Sequence, residues 1–238
     1  NQYGELCWVS APLYLGYTFC DGNYLNWKSS PAAVKMSRLY IMKEVTKKVL
    51  TSVNNLNVGL MRVHNPQGGP VILGVTDLDQ NRQDVMDAID SLPANGWTPL
   101  SETLYENALY WRGMPAWYGE QINEAPTDPN ALASNNPEVY QQPVWDACTK
   151  NYNVLLTDGA PTRDDDGPVR VPTLPNYAGA LSRSNCTGSG QGHCLDVVAE
   201  YLSVGDIDPS TPGDPIVTTH SLGVTVALPI LGAGAVSA

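Results

Sequence analysis

Apolar residues recur at helical spacing in three places along the first half of this 238-residue chain. Leu39, Met42, Val45, Val49 and Val53 follow Ser30-Pro31, a pair suited to a capping serine and a proline at the first helical position. They predict an amphipathic helix reaching about Val53, with its lysines on the opposite, solvated face. Val85, Ile89 and Leu92 predict a second helix, closed by Pro93. Leu100, Leu104, Ala108 and Trp111 form the buried stripe of a third, with Thr98 as its cap, Pro99 at the first helical position and Gly113 as its stop.

Between these helices the pattern changes to short apolar runs. NVGLMRV at 57–63 and VILGVTDL at 71–78 predict two strands joined by the turn HNPQGG. The run at 152–157 reads as a strand buried on both faces, and it ends abruptly in Thr157-Asp158-Gly159. A helix from Leu195 to about Ser203 and a strand at Ile216–Val224 complete the readable part. Residues 1–30 are aromatic and irregular, and 114–147 and 160–193 read as long loop insertions, the first with few core candidates. Strands alternating with helices predict an α/β domain with a mostly parallel central sheet and helices on both faces. Ligands of such sheets collect beyond the carboxyl ends of the strands, where Asp158 and the loop carrying Thr98 should both lie.

The formal net charge of −11 argues against nucleic-acid or anionic-membrane partners, since no Lys/Arg cluster could neutralise phosphates. Twelve tyrosines and six tryptophans against one phenylalanine suit a surface that touches other molecules. The five cysteines show no zinc spacing. Cys186 and Cys194 bracket a Gly/Ser-rich tip that needs a staple, and Cys7 with Cys20 forms a second expected pair, each contributing roughly 2–3 kcal/mol through loop entropy. Cys148 is left over. Two disulfides point to an oxidising compartment. The uncharged tail from Ser221 to Ala238 is broken by Pro229 and glycines, and reads as a strand plus loop or helix rather than a membrane span.

Candidate chemistry narrows to Asp158 and Thr98. No GxSxG elbow, phosphate-binding glycine loop or strand-to-helix dinucleotide fingerprint occurs, which leaves a hydrolase using Asp158 as the weakest reading. The triplet Asp164-Asp165-Asp166 fails as an EF-hand, because taking Gly167 as the sixth position puts Thr173 where the terminal glutamate belongs. It reads as a solvated acidic turn. A threonine hydroxyl at a helix start and a carboxylate at a strand end are hard oxygen donors of the kind that, with waters, hold Mg²⁺ or Ca²⁺. Taken singly, Thr98 reads as an ordinary helix cap and Asp158 as an ordinary Asp-Gly turn.

Two segments, GWTPLSETLYENALYWRG at 96–113 and CTKNYNVLLTDGAPT at 148–162, resemble the two later metal-site segments of a von Willebrand factor A domain. More narrowly they resemble the A domain of the PilY/PilC-type proteins of type IV pilus machinery. GNYLNW at 22–27, SRLYIMKEV at 37–45, YQQPVWDACTKNYNVLLTDG at 140–159 and VTTHSLGV at 217–224 fit that subfamily in order. The resemblance implies a Rossmann-like sheet across residues 1–238, topped by a metal-ion-dependent adhesion site in which Thr98 and Asp158 match two of three ligand loops. The DxSxS loop that follows the family's central first strand has no match, so the resemblance implies a piece lacking that strand, with an incomplete site for Mg²⁺ or Ca²⁺. It further implies a non-enzymatic extracellular domain at a pilus tip or outer-membrane surface, concerned with pilus assembly, adhesion and surface sensing. Minor pilins or a tip complex, host or surface ligands, and a C-terminal propeller of the same protein are the implied partners. A metal-dependent binding domain of some other cell-surface protein is the alternative.

Overall fold

One helix organises the molecule. In the computed structural model, which describes residues 7–9, 18–20, 36–64, 67–119, 127–143, 149–177, 186, 191–205 and 215–223, helix α3 (Leu100–Trp111) is buried at every position except Asn107. Its apolar side, with Leu104, Ala108, Leu109 and Trp111, lies in the main core beside Val197, Val198, Tyr201 and Leu202 of helix α5 (Leu195–Val204). A helix buried all round has no solvent for its polar residues, so these must find partners inside the protein. Glu106 accepts hydrogen bonds from the backbone N–H groups of Trp117, Tyr118 and Gly119 at 3.0, 2.8 and 3.0 Å and from the Tyr140 hydroxyl at 2.6 Å.

The remaining elements surround α3. Strand β3 (Asn57–Met61) forms an antiparallel hairpin with β4 (Val71–Asp77). Helix α2 (Leu78–Ser91), capped by the Asp77 side chain, closes a smaller core of Leu78, Val85 and Ile89 against that hairpin. Strands β5 (Leu132–Ala133) and β6 (Asn136–Tyr140) form a second hairpin, and β7 (Asn151–Thr157) pairs in parallel with β8 (Val217–Gly223). Short helix α4 (Gly167–Arg170) follows β7. Each described sheet has two strands, and β7–β8 is the one parallel pair among them. The chain is thus a mixed α/β protein. No described helix is long and apolar enough to cross a membrane.

The first 37 residues form a separate unit, in which β1 (Cys7–Val9) pairs antiparallel with β2 (Thr18–Cys20). The register sets Cys7 opposite Cys20, while their side chains, like Cys148, lie outside the described residues. In the larger unit Cys186 is bonded to Cys194, with Cα atoms 5.3 Å apart, which ties residue 186 to the start of α5. The tail beyond Gly223 lies outside the described residues.

Several sequence expectations need correction. The first helix, α1 (Arg38–Thr51), starts later than Pro31, since Met36 and Ser37 are not helical. It is also rotated from the expected orientation: Val45 and Val49 of the stripe stand outward, while Leu39, Met42 and Val53 are half-buried. Lys43 reaches the last carbonyls of α2, Asp90 O and Leu92 O, at 2.8 and 2.6 Å, and Lys47 pairs with the Asp90 carboxylate at 2.8 Å. A cation at a helix C-terminus satisfies orphan carbonyls and the helix dipole together. That contact turns Ile41, Val45 and Val49 outward, with Val45 56% exposed. Strand β7 is buried on one face only. Asn151 is buried and Asn153 bonds to Trp111 and Asn107 of α3, but Tyr152 and Val154 stand open on the opposite face. The insertion 114–147 carries core after all: Ala116, Tyr118, Ala131 and Tyr140 are buried, the tyrosines because Glu106 draws their segments onto α3. Val171, Leu174 and Tyr177 do the same for 160–193.

The strand edges differ in their protection. Asp128 N–H bonds to Val71 O, and the Asp128 carboxylate accepts from Gly74 N–H, both at 2.7 Å, so the outer edge of β4 is covered. An added Cβ at Gly74 would meet the Ala131 backbone at about 3.2 Å, which is why this close approach takes glycine. Among the described residues neither β3 nor β7 has a strand on its other edge. Asn107 links the two, donating to the Met61 sulfur at 3.3 Å and accepting from Asn153 at 2.7 Å.

If Glu106 holds the segment 117–119 and Tyr140 in place, Glu106→Ala should cost about 3–5 kcal/mol, since it strands three buried donors and the half-buried Trp117 N–H. Val45→Ala, at an outward position of α1, should stay within about 0.5 kcal/mol. Urea unfolding of the two variants beside the wild type measures both.

Candidate functional site

Strand β7 ends at Thr157, whose hydroxyl donates to Gly159 O at 2.9 Å and accepts Gly159 N–H at 3.3 Å. This small turn directs Asp158 into solvent, with its side chain 45% exposed. The Asp158 carboxylate pairs with the Arg38 guanidinium at 3.2 Å. The chain then runs through Pro161 to Thr162, which meets the loop before α3. Thr98 N–H donates to Thr162 O at 3.2 Å, Thr162 N–H donates to Thr98 O at 3.1 Å, and the Thr162 hydroxyl also accepts Thr98 N–H at 2.9 Å. Two segments about sixty residues apart in sequence are therefore joined by a two-way backbone bridge, with Asp158 four positions upstream of the joint.

Thr98 is not the helix cap. Asp164 does that work from 63 residues away: its carboxylate accepts Ser101 N–H at 2.8 Å, Glu102 N–H at 3.1 Å and the Ser101 hydroxyl. A carboxylate at a helix N-terminus meets the positive end of the dipole and the unsatisfied N–H groups at once. Asp164 is fully buried and is held in turn by Gln191, whose amide oxygen accepts Asp164 N–H, and by Gly192, whose N–H donates to Asp164 O at 3.1 Å. Gly192 sits at φ +75° against Pro161, a conformation and a closeness that favour glycine. The aspartate triplet is therefore not a solvated turn. Asp165 is exposed, but Asp164 is inside, and half-buried Asp166 accepts from Gln67 at 3.0 Å.

Glu102, also fully buried, sits beside this joint and accepts N–H bonds from Gly68 at 2.9 Å and Asp166 at 3.1 Å. Burial raises its pKa to about 7 against the pull of those two donors, with the nearby Asp164 and Asp166 charges adding to the rise. At the rim, Arg163 stacks its guanidinium 5.3 Å from the Trp97 ring centre.

For a divalent cation the residues fit in kind and fall short in number. One carboxylate and one hydroxyl are hard oxygen donors, whereas Mg²⁺ takes about six ligands and Ca²⁺ about six to eight. Among the described residues no group of three or more His, Cys, Asp or Glu gathers to hold a metal. Arg38 supplies the positive charge that the Asp158 carboxylate faces. A hydrolase built on Asp158 would need a hydroxyl or thiol beside that carboxylate, and its recorded partner is the Arg38 guanidinium. Sequence reasoning missed Arg38, Asp164, Ser101 and Glu102. Asp164 belongs to an acidic triplet that looks solvated, and nothing local in the sequence ties it to a helix start 63 residues away, just as nothing local marks Glu102 as buried.

The chain matches no protein-family model, no curated protein and no solved structure.

Removing the long-range cap tests this architecture. Asp164→Ala leaves two buried N–H groups and a hydroxyl without partners and should cost about 2–4 kcal/mol. Arg38→Ala breaks an exposed pair and should cost less than about 1 kcal/mol. Denaturant midpoints of the two variants give the comparison.

Proposed function

We propose that the chain is a non-enzymatic, metal-assisted binding domain of the von Willebrand factor A type, from an extracellular protein of type IV pilus biogenesis or tip adhesion. The observation that carries this reading is the Thr98–Thr162 bridge at the carboxyl end of β7. It joins the two loops for which the resemblance implies ligand roles, and leaves the Asp158 carboxylate facing solvent where a partner can reach it. In this reading Thr98 and Asp158 contribute to a Mg²⁺ or Ca²⁺ site whose remaining ligands come from a third loop, from waters and from the partner. Arg38 holds the carboxylate while no metal is bound. Trp97 and Arg163 flank the docking surface.

The unprotected edges of β3 and β7 also support the reading. Both strands rest on α3 through Asn107, and the resemblance implies a central strand between their counterparts, followed by the DxSxS loop. Minor pilins, a tip complex or surface ligands are the proposed partners.

Calorimetry with Mg²⁺, Mn²⁺ and Ca²⁺ tests the site. The chain alone should bind weakly, and a supplied strand peptide ending in a DxSxS segment should tighten binding. Asp158→Ala should abolish binding without loss of fold, because the carboxylate is exposed and supports no core contact. Affinity unchanged by Asp158→Ala would reduce Asp158 to a turn residue and end the proposal.

A further inference from the structure

Among the described residues, Glu102 is a buried carboxylate whose two oxygens hold two different loops. Oε2 holds Gly68 in the β3–β4 turn, and Oε1 holds Asp166 in the loop after β7. The same loop carries Asp164, which caps α3, and Thr162, which bridges to Thr98. Whatever loosens Glu102 therefore loosens the ground on which those loops meet.

The surroundings make its charge costly. Asp164 and Asp166 approach from the 163–167 loop, with Asp164 bonded to the Glu102 N–H itself. Tyr118 presses its ring on Gly68 from the segment after α3, and its buried hydroxyl has no hydrogen-bond partner among the described residues. That phenol feels the Glu102 and Asp166 charges, and its pKa is raised by burial and by them. Arg170 of α4 brings a cation to this side; its Nε is buried without a partner among the described residues, and its guanidinium lies 3.7 Å from the Trp117 ring centre. One turn along α3, Glu106 is already surrounded by its own donors. The β3–β4 turn contributes His64, bonded through Nδ1 to Arg62. Ionisation of Glu102 thus adds a third negative charge beside the buried Asp164 and the half-buried Asp166 carboxylates.

We propose that Glu102 is a proton-operated latch, which holds the β3–β4 turn and the 163–167 loop onto α3 most firmly when its carboxyl is protonated and loosens both when it ionises. This inference stands on the cluster itself and does not depend on any metal at Asp158. The direction follows from linkage. In the closed state the carboxyl keeps its proton up to a pKa of about 7, while in an opened segment it ionises at the ordinary carboxyl value. Closure is therefore strongest at and below that ordinary value, weakens as pH rises towards 7, and changes no further once both states are ionised. Between pH 6 and pH 8 the opening constant should rise about tenfold.

Two measurements on the intact chain test the latch. Carbon-13 NMR should show the Glu102 side-chain carboxyl titrating near neutral pH. Amide exchange at Gly68 and Asp166, corrected for intrinsic rates, should lose about tenfold in protection between pH 6 and pH 8. Glu102→Gln should flatten that dependence and leave protection in α5 unchanged. A carboxyl that titrates in the ordinary range, or equal protection at the two pH values, would overturn the proposal. The wild-type titration decides the matter even if the glutamine variant does not fold.

Discussion

Burying a helix that carries acids is the constraint from which the rest of this structure follows. Every carboxylate on α3, and the one that caps it, lies away from water and must be met by N–H or O–H donors. Those donors come from loops: 117–119 for Glu106, Gly68 and Asp166 for Glu102, and the N-terminal amides of α3 itself for Asp164. Segments too polar to fold onto a core by apolar burial are thereby fixed by hydrogen bonds to the buried carboxyl groups of α3 and of its cap. The tyrosines of those segments then fill the space around the helix, with Tyr110 and Tyr140 edge to face at 5.2 Å and Tyr105 and Tyr118 at 6.2 Å.

The candidate site inherits its order from the same arrangement. Thr98 precedes α3 and Asp158 follows β7, and neither is fixed by its own neighbours. Asp164 fastens the post-β7 loop to the helix start, and the Thr98–Thr162 bridge follows from that fastening. Gln191 and Gly192, close to the Cys186–Cys194 bond, secure the far side of the loop. A rigid base beneath an exposed carboxylate is what a docking surface needs, because ordering a loop at the moment of binding subtracts from affinity.

The periodic elements were legible in the sequence, and their partners were not. The helix at 100–111, the hairpin strands at 57 and 71 and the strand at 151–157 follow from apolar spacing, which is a local property. Orientation is not local. Lys43 and Lys47 read as solvated because lysine usually is, yet the C-terminus of α2 draws both inward and turns Val45 and Val49 of the α1 stripe outward. Strand β7 looked doubly buried because its residues are apolar, but burial needs a second layer, and the described residues place none over Tyr152 and Val154. Thr98 and Asp158 could be named from residue type and position. Arg38, Asp164 and Glu102 could not, because each acts across 30 residues or more of chain.

The functional account rests on where a cation goes, and Mn²⁺-induced broadening of assigned amide resonances measures that directly. At substoichiometric Mn²⁺, the account predicts that Thr98, Asp158, Gly159 and Thr162 broaden first and together, since the bridge joins Thr98 to Thr162, four residues beyond Asp158. Broadening confined to the exposed acids of α2, Asp84, Asp87 and Asp90, with Asp158 and Thr98 untouched, would contradict it.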